Sequence, residues 1–393
     1  MANTDSRPAL LLSAIVAASC AADSGAAADA GNDASTTTMG GSASDAGTAA
    51  ASSSGDDGSS SHADAEASGD GSSDAGPSSS ASSDEGSSTG DGGSRGCGGD
   101  TPLGWASENG GTSGGAGGPT TMVDDAAELL ALAAAEGPQI IVVTGEITLD
   151  ETLFIASDKT IEGAPGGATI HGTLQIDGSA RAPVANVIVR NLFIEGSQGP
   201  DEDTFTMQFA RNVWVDHCDI ADGADGNLDI THGSSFVTVS WTRFHYTDAA
   251  PAAEHRFCNL IGHSDDNADE DEEALDVTMH HDWWSDGVVE RMPRVRFGRV
   301  HVLNNLFDSP DTNYAVRAGV GAEVLVEANY FDATPNPHEI FDAGAEIVAI
   351  DNTYAGTSGA QDQDGDAFEP PYDYVADAAD DVPQRVEACA GPQ

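Results

Sequence analysis

Seven segments repeat one arrangement of apolar and polar positions: "VIVRNLFI" from Val187, "VWVDHCDI" from Val213, "VTVSWTRF" from Val237, "VTMHHDWW" from Val277, "VHVLNNLF" from Val300, "VLVEANYF" from Val324 and "IVAIDNTY" from Ile347. Each opens on a β-branched alternation of period two, passes through a polar pair and ends on a large apolar residue. The starts lie 26, 24, 40, 23, 24 and 23 residues apart. A strand unit recurring at that interval predicts a solenoid whose coils contact only their neighbours. Leucine at fixed steps and a helical pattern between strands, the marks of a leucine-rich repeat, are missing. The pattern therefore predicts an all-β protein, a single-stranded parallel β-helix with strands stacked ~4.8 Å apart.

Asn305, Asn329 and Asn352 recur at one place in three successive repeats, as stacked amides at a turn would. The 40-residue interval holds an insertion, "HYTDAAPAAEHRFCNLIGHSDDNADEDEEAL", and insertions in solenoids become loops on one face. One amphipathic stretch, "VDDAAELLALAAAEG" over 123–137, predicts a short N-terminal helix that caps the open end of the stack.

Composition divides the chain of 393 residues before this domain begins. Residues 21–95 are almost wholly Ala, Ser, Gly, Asp and Thr, without an aromatic residue. Such a segment cannot bury enough apolar surface to offset its ordering entropy, and it reads as a disordered tether. Ahead of it, "ALLLSAIVAASC" over 9–20 is too short for a stable bilayer-spanning helix and reads as an export signal over residues 1–20. Cys20 after "AAS" is a candidate lipidation site, which would anchor the chain to a membrane; plain secretion with cleavage nearby is the other reading. Residues 96–393 are then one domain, secreted or held at the cell surface. Cys97 and Cys389 bracket it, and an exported chain folds in an oxidising compartment, so a bridge between its two ends is expected. Cys218 and Cys258 lie in apolar contexts and read as buried small hydrophobes.

The formal charge is −52, with 66 acids against 14 Lys and Arg, and Lys159 is the single lysine. Such a field repels nucleic acid and any other polyanion at long range. Against that background "RMPRVRFGR" over 291–299 gathers Arg291, Arg294, Arg296 and Arg299 within nine residues. The guanidinium fork suits carboxylates, and a run of forks suits a repeating anionic ligand; an arginine-rich edge paired with local acids is the plainer alternative. Asp216 in "VWVDH", with Asp225 and Asp229 in "DGNLDI", could converge if strand and following loop are adjacent, a donor set suited to Ca²⁺. The alternative is a solvated acidic face. His217, His280 and His281 occupy the polar-pair positions and read as structural hydrogen-bonding residues. His255 and Arg256 in the insertion could face a cleft. The glycine-rich "ENGGTSGGAGG" lacks the lysine and strand context of a phosphate loop.

Taken in order, "GWASENGGTSGGAGG", "VWVDHCDI", "DGNLDI", "VTVSWTRF", "NLIGHSD", "VTMHHDWW", "RMPRVRFGRVHVLNNLF" and the closing "PPYDYVADAADDVPQRVEACAG" resemble the pectate lyases of polysaccharide lyase family 1. The resemblance spans roughly residues 103–391. It implies a right-handed parallel β-helix and a secreted, monomeric enzyme that cuts polygalacturonate by β-elimination with Ca²⁺, releasing unsaturated oligogalacturonides. Carried over by position, it implies Asp216, Asp225 and Asp229 as calcium ligands, Arg291 as catalytic base and Arg296 as a substrate-gripping arginine, with Arg294 beside it. One position departs: Phe257 stands where the family's substrate-binding lysine falls, and Arg256 next to it is the candidate replacement. The departure keeps a second function open, a non-catalytic β-helical polyuronate binder or adhesin at the cell surface. A pectin lyase acting on methyl-esterified chains fits less well, since that branch works without the metal and needs no cluster of three carboxylates.

Overall fold

The computed structural model describes residues 96–196, 203–250, 255–366 and 368–393. The export signal, the candidate lipidation site Cys20 and the tether to residue 95 lie outside the described residues.

Three parallel sheets of ten, eight and nine strands run the length of the domain. Successive strands of the chain visit them in turn, so each coil adds one strand to each sheet, which is the expected all-β parallel helix. The seven sequence repeats fall in register on the ten-stranded sheet: Val187, Val213, Val237, Val277, Val300, Val324 and Ile347 form one continuous row of cross-strand partners. Two residues further, Val189, Val215, Val239, Met279, Val302 and Val326 form a second inward row, all fully buried. Burying these aliphatic ladders on the coil axis is the main stabilising term, since no layer covers the sheets on the inside except each other.

On the nine-stranded sheet the large residue that closes each repeat stacks on the next. Phe244, Trp284, Phe307, Phe331 and Tyr354 form a ladder of near-parallel rings. At the corner before it, Asn305 Nδ2 donates to Asn329 Oδ1 at 3.0 Å, and Asn329 Nδ2 to Asn352 Oδ1 at 3.0 Å. Asp282 heads the same ladder, its amide donating to Asn305 Oδ1 at 2.7 Å while its own Oδ1 accepts from the Thr242 amide at 2.8 Å.

The N-terminal helix, Ala126–Ala133, is shorter than its sequence pattern, and Asp125 caps its start by accepting from the Glu128 amide. Its fully buried Leu129 packs over the first coil, where it closes the end of the core. The glycine-rich segment lies on the outer face of the ten-stranded sheet. A Cβ on Gly115 would stand 1.9 Å from the Gln139 carbonyl oxygen, so only glycine permits that approach. The C-terminal helix Val382–Cys389 closes over the nine-stranded sheet near Leu306, and Cys97 is joined to Cys389. Cys218 and Cys258 are buried free thiols. Lys159 is fully buried, donating to the carbonyls of Gly137 and Ser157 at 2.7 and 2.9 Å, so burial lowers its pKa.

Candidate active site

The outer face of the eight-stranded sheet gathers the candidate chemistry. Its strands include Asp203–Gln208, Gly226–Thr231, Leu260–Ile261, Arg294–Val295, Val316–Ala318 and His338–Ile340, adjacent in that order. One outward row crosses them: Thr206 beside Asp229, then Leu260, Arg294, Arg317 and Glu339. The row runs from carboxylate to guanidinium along the helix axis.

Asp203 and Asp229 stand on neighbouring coils on either side of Gly226. A Cβ added to Gly226 would lie 2.7 Å from Asp203 Oδ1 and 3.2 Å from Asp229 Oδ1. Thr206 Oγ1 donates to Asp203 Oδ2 at 3.0 Å, and the Leu260 amide donates to Asp229 Oδ1 at 3.1 Å. Asp203 Oδ1 is buried without a hydrogen-bond partner. Burial, and then the charge of Asp225, push the Asp203 carboxyl up to about 6. Burial and the charge of Asp203 push Asp229 well above the usual carboxylate range. Arg291 acts on both in the opposite direction. Among the described residues no three His, Cys, Asp or Glu side chains meet as a ready-made metal site. What is present is a buried carboxylate pair with Asp225 at its rim, an orphan oxygen and a glycine that leaves the space between them open. That donor set, hard oxygens with unneutralised charge, fits a hard cation such as Ca²⁺.

Asp216 is not part of this group. It ends the strand Ala210–Asp216 of the ten-stranded sheet, and two corners, at His217 and Asp222, separate it from Asp225. Its carboxylate accepts from Ser240 Oγ at 2.6 Å and pairs with His217 Nδ1 at 2.7 Å. The expectation that Asp216 converges with Asp225 and Asp229 is therefore corrected. The chain turns onto another sheet between them, and Asp203, one coil earlier on the same sheet, stands in the place assigned to Asp216. Its signal was available: Asp203 precedes Gly226 by one repeat length.

The arginine run divides too. Arg291 sits at the corner before its strand with φ 66°, a left-handed conformation that long side chains rarely adopt. Its guanidinium lies 4.1 Å over the Phe257 ring, and its Nε is buried without a hydrogen-bond partner. Arg294 and Arg296 project outward on either side of inward Val295. Burial, then the charge of Arg296, lowers the pKa of Arg294. Arg296 is committed to Asp265 at 2.6 Å and to the Gly262 carbonyl at 3.3 Å. Arg299 lies on the ten-stranded sheet, paired with Asp276 at 2.8 Å and stacked over Trp105, and so leaves the cluster. Arg256 donates to the Thr247 carbonyl at 3.3 Å, so the group lying on Arg291 is the ring of Phe257. Arg317, which the sequence reading passed over, joins the face one coil beyond Arg294, paired with Glu339 and flanked by the rings of Tyr314 and Phe341.

A cavity of about 680 Å³ lies elsewhere, against the ten-stranded sheet beneath the terminal segments, lined by Asp216, Trp241, His280, His281, Tyr372 and Arg385 among others. Its polar groups are largely spent on one another. His281 bridges His280 Nδ1 at 3.0 Å and Asp377 at 3.1 Å, and Trp241 is stacked between His217 and His281. We read it as a structural seam.

The sequence pattern of the family described as pectate lyase matches residues 97–362. Pectate lyase plyB of Emericella nidulans is 38% identical over 271 residues, covering 67% of this chain and 76% of that protein. Pectate lyase A of Aspergillus niger is 34% identical over 301 residues, covering 74% and 88% respectively. Among solved structures, a Bacillus pectate lyase in complex with trigalacturonate superposes with a TM-score of 0.63 at 24% identity, over 74% of this chain and 98% of that one. The cedar pollen allergen jun a 1 superposes with a TM-score of 0.57 at 23% identity, over 74% and 93%.

Proposed function

Because the chain belongs to the pectate lyase family and is a polysaccharide lyase, we propose that it cleaves polygalacturonate by Ca²⁺-dependent β-elimination, releasing unsaturated oligogalacturonides. The observation that carries this reading is the face on which a buried carboxylate pair, Asp203 and Asp229, looks across the coil of Leu260 at Arg291 and Arg294, with Arg317 one coil further on. Polygalacturonate carries one carboxylate per sugar, and a relative's complex with trigalacturonate supports such a substrate. The local arginines offer it attraction on a protein whose overall field repels it.

Asp203, Asp225 and Asp229 are the residues that would hold the cation. Bound there, Ca²⁺ supplies a positive charge that neutralises the uronate carboxylate and favours enolate-like charge next to it. The chain's own residues do the rest. Arg294 and Arg317 grip carboxylates along the groove, and Arg296, fixed by Asp265, frames it. Arg291 in its guanidine form takes the proton from C5, α to the carboxylate. The freed electron pair forms the C4–C5 double bond, the C4–O bond breaks, and the departing oxygen takes a proton from water. The left-handed backbone at Arg291 and the Phe257 ring beneath its side chain fix where that group sits.

We further read residues 1–20 as an export signal and 21–95 as a tether, so that the enzyme acts as a monomer outside the cell, free or anchored through Cys20. The Cys97–Cys389 bridge supports an oxidising compartment. The test is incubation with polygalacturonate, with and without Ca²⁺, following the ultraviolet absorbance of unsaturated uronides. Absorbance that rises only with Ca²⁺ supports the reading. Tight binding without any rise would make the chain a polyuronate binder instead.

A further inference from the structure

Between the acidic and basic halves of the groove, one coil contributes no charge to the outward row. Asp229 lies on one side of it and Arg294 on the other, and the residue between them is half-buried Leu260. On the approach to the same strand stands Phe257, also half-buried, its backbone bridged to Glu290 and its carbonyl accepting from the Tyr246 hydroxyl. The Phe257 ring carries the Arg291 guanidinium at 4.1 Å and meets the His255 ring at 5.5 Å. The cation of this coil, Arg256, is held at the Thr247 carbonyl. A sugar lying next to Arg291 on the acidic side of the groove therefore meets a phenyl ring and a leucine.

The two forms of a uronate respond oppositely to such a surface. A carboxylate pressed against it loses water and gains no partner, which disfavours binding. A methyl ester loses little hydration and buries its methyl group against the ring. Resting on the function proposed above, we propose that Phe257 and Leu260 form an apolar specificity step that accepts a methyl-esterified galacturonate beside the reacting sugar, so that the enzyme cuts lightly esterified pectin at least as well as polygalacturonate. Arg294 and Arg317 still require ionised uronates at neighbouring positions, so a fully esterified chain is a poor substrate.

The experiment compares kcat/KM on polygalacturonate and on lightly methyl-esterified pectin for the full chain and for Phe257→Lys and Phe257→Leu. The expected ratio, esterified over unesterified, is at or above one for the parent. Phe257→Lys should lower it roughly fivefold, chiefly through a smaller KM on polygalacturonate, the scale of one half-exposed ion pair. Phe257→Leu should keep the ratio while lowering kcat, because it retains the apolar step and removes the ring beneath Arg291. A parent that discriminates against light esterification, or a ratio that Phe257→Lys leaves unchanged, would overturn the proposal. If the parent cleaves neither polymer, the lyase reading fails separately. Retardation in gels cast with each polymer then decides the step: equal relative retention of parent and Phe257→Lys would overturn it, and a shift toward polygalacturonate in the lysine variant would support it.

Discussion

Asp203 and Asp229 face each other across Gly226, each with an oxygen close to the space that a side chain on that glycine would fill. Two carboxylates so placed repel, and burial removes the water that would screen them. A hard cation relieves both penalties at once. Asp203→Asn and Asp229→Asn should each raise the Ca²⁺ concentration for half-maximal activity roughly tenfold or more. Asp216→Asn should leave that concentration unchanged and instead lower the melting temperature, since it disturbs buried bonds to Ser240 and His217 worth ~1–3 kcal/mol. A calcium requirement that moved with Asp216 and not with Asp203 would refute the assignment.

Gly226→Ala tests the same geometry without touching a carboxylate. The new methyl would stand 2.7 Å from Asp203 Oδ1, a contact that must shift something, and the end of a side chain yields more readily than backbone. The domain should keep its circular dichroism while its calcium requirement rises. A lowered melting temperature with the calcium requirement unchanged would point to a packing role for the glycine instead.

Arg291→Lys keeps a positive charge but moves the nitrogen and loses the planar fork that stacks on Phe257. If Arg291 is the base, the change should lower kcat ~10²–10⁴-fold, with KM changing little. Arg294→Ala should behave differently, raising KM at least as much as it lowers kcat, because it removes a carboxylate partner. If Arg291→Lys retained near-full turnover in a folded protein, the proton would have to leave by another group.

The sequence was most legible where one residue type repeats. Val187 through Ile347 could be aligned by eye, and the structure stacks those same residues, because a solenoid converts a period in sequence into a row in space. The site was less legible. Asp225, Asp229, Arg291, Arg294 and Arg296 could be singled out as candidates from local motifs, but Asp203 and Arg317 carry none. They join the site because they lie one coil from Gly226 and Arg294, a relationship set by register rather than by neighbouring letters. Asp216 erred for the converse reason. It is near Asp225 in the chain, yet the corner at His217 sends the chain onto a different sheet. Arg299 followed the same logic, four letters from Val295 and on another face.

The asparagine ladder gives a stability test remote from the chemistry. Asn329 is fully buried, accepts from the amide and Nδ2 of Asn305, and donates to the Val302 carbonyl and Asn352 Oδ1. Asn329→Leu leaves several of these partners unsatisfied, at ~1–3 kcal/mol for each buried group. The melting temperature should fall by several degrees, and more than for the same change at Asn352, which is only partly buried. Equal shifts at both positions would mean that the ladder's interior bonds carry no special weight.

His281 gives a pH dependence whose sign can be worked out. Burial, and then the charge of Arg385, hold its imidazole down at about 3, against 6.5 for an exposed histidine. Between those values the unfolded chain binds a proton at this residue and the folded chain does not. Stability from His281 is therefore fully present above pH 6.5 and drains away as pH falls toward 3, by an amount on the order of a few kcal/mol. Buried carboxyls with raised values, Asp282 among them, act in the opposite direction over an overlapping range, so the whole-protein curve mixes both signs. A difference measurement separates them. His281→Asn keeps a polar side chain at the corner but cannot gain the proton, so its melting temperature should sit below the parent's at pH 7.5 and converge on it as the pH approaches 4. Parallel melting curves for parent and variant across that window would mean that His281 accepts its proton without opening the fold.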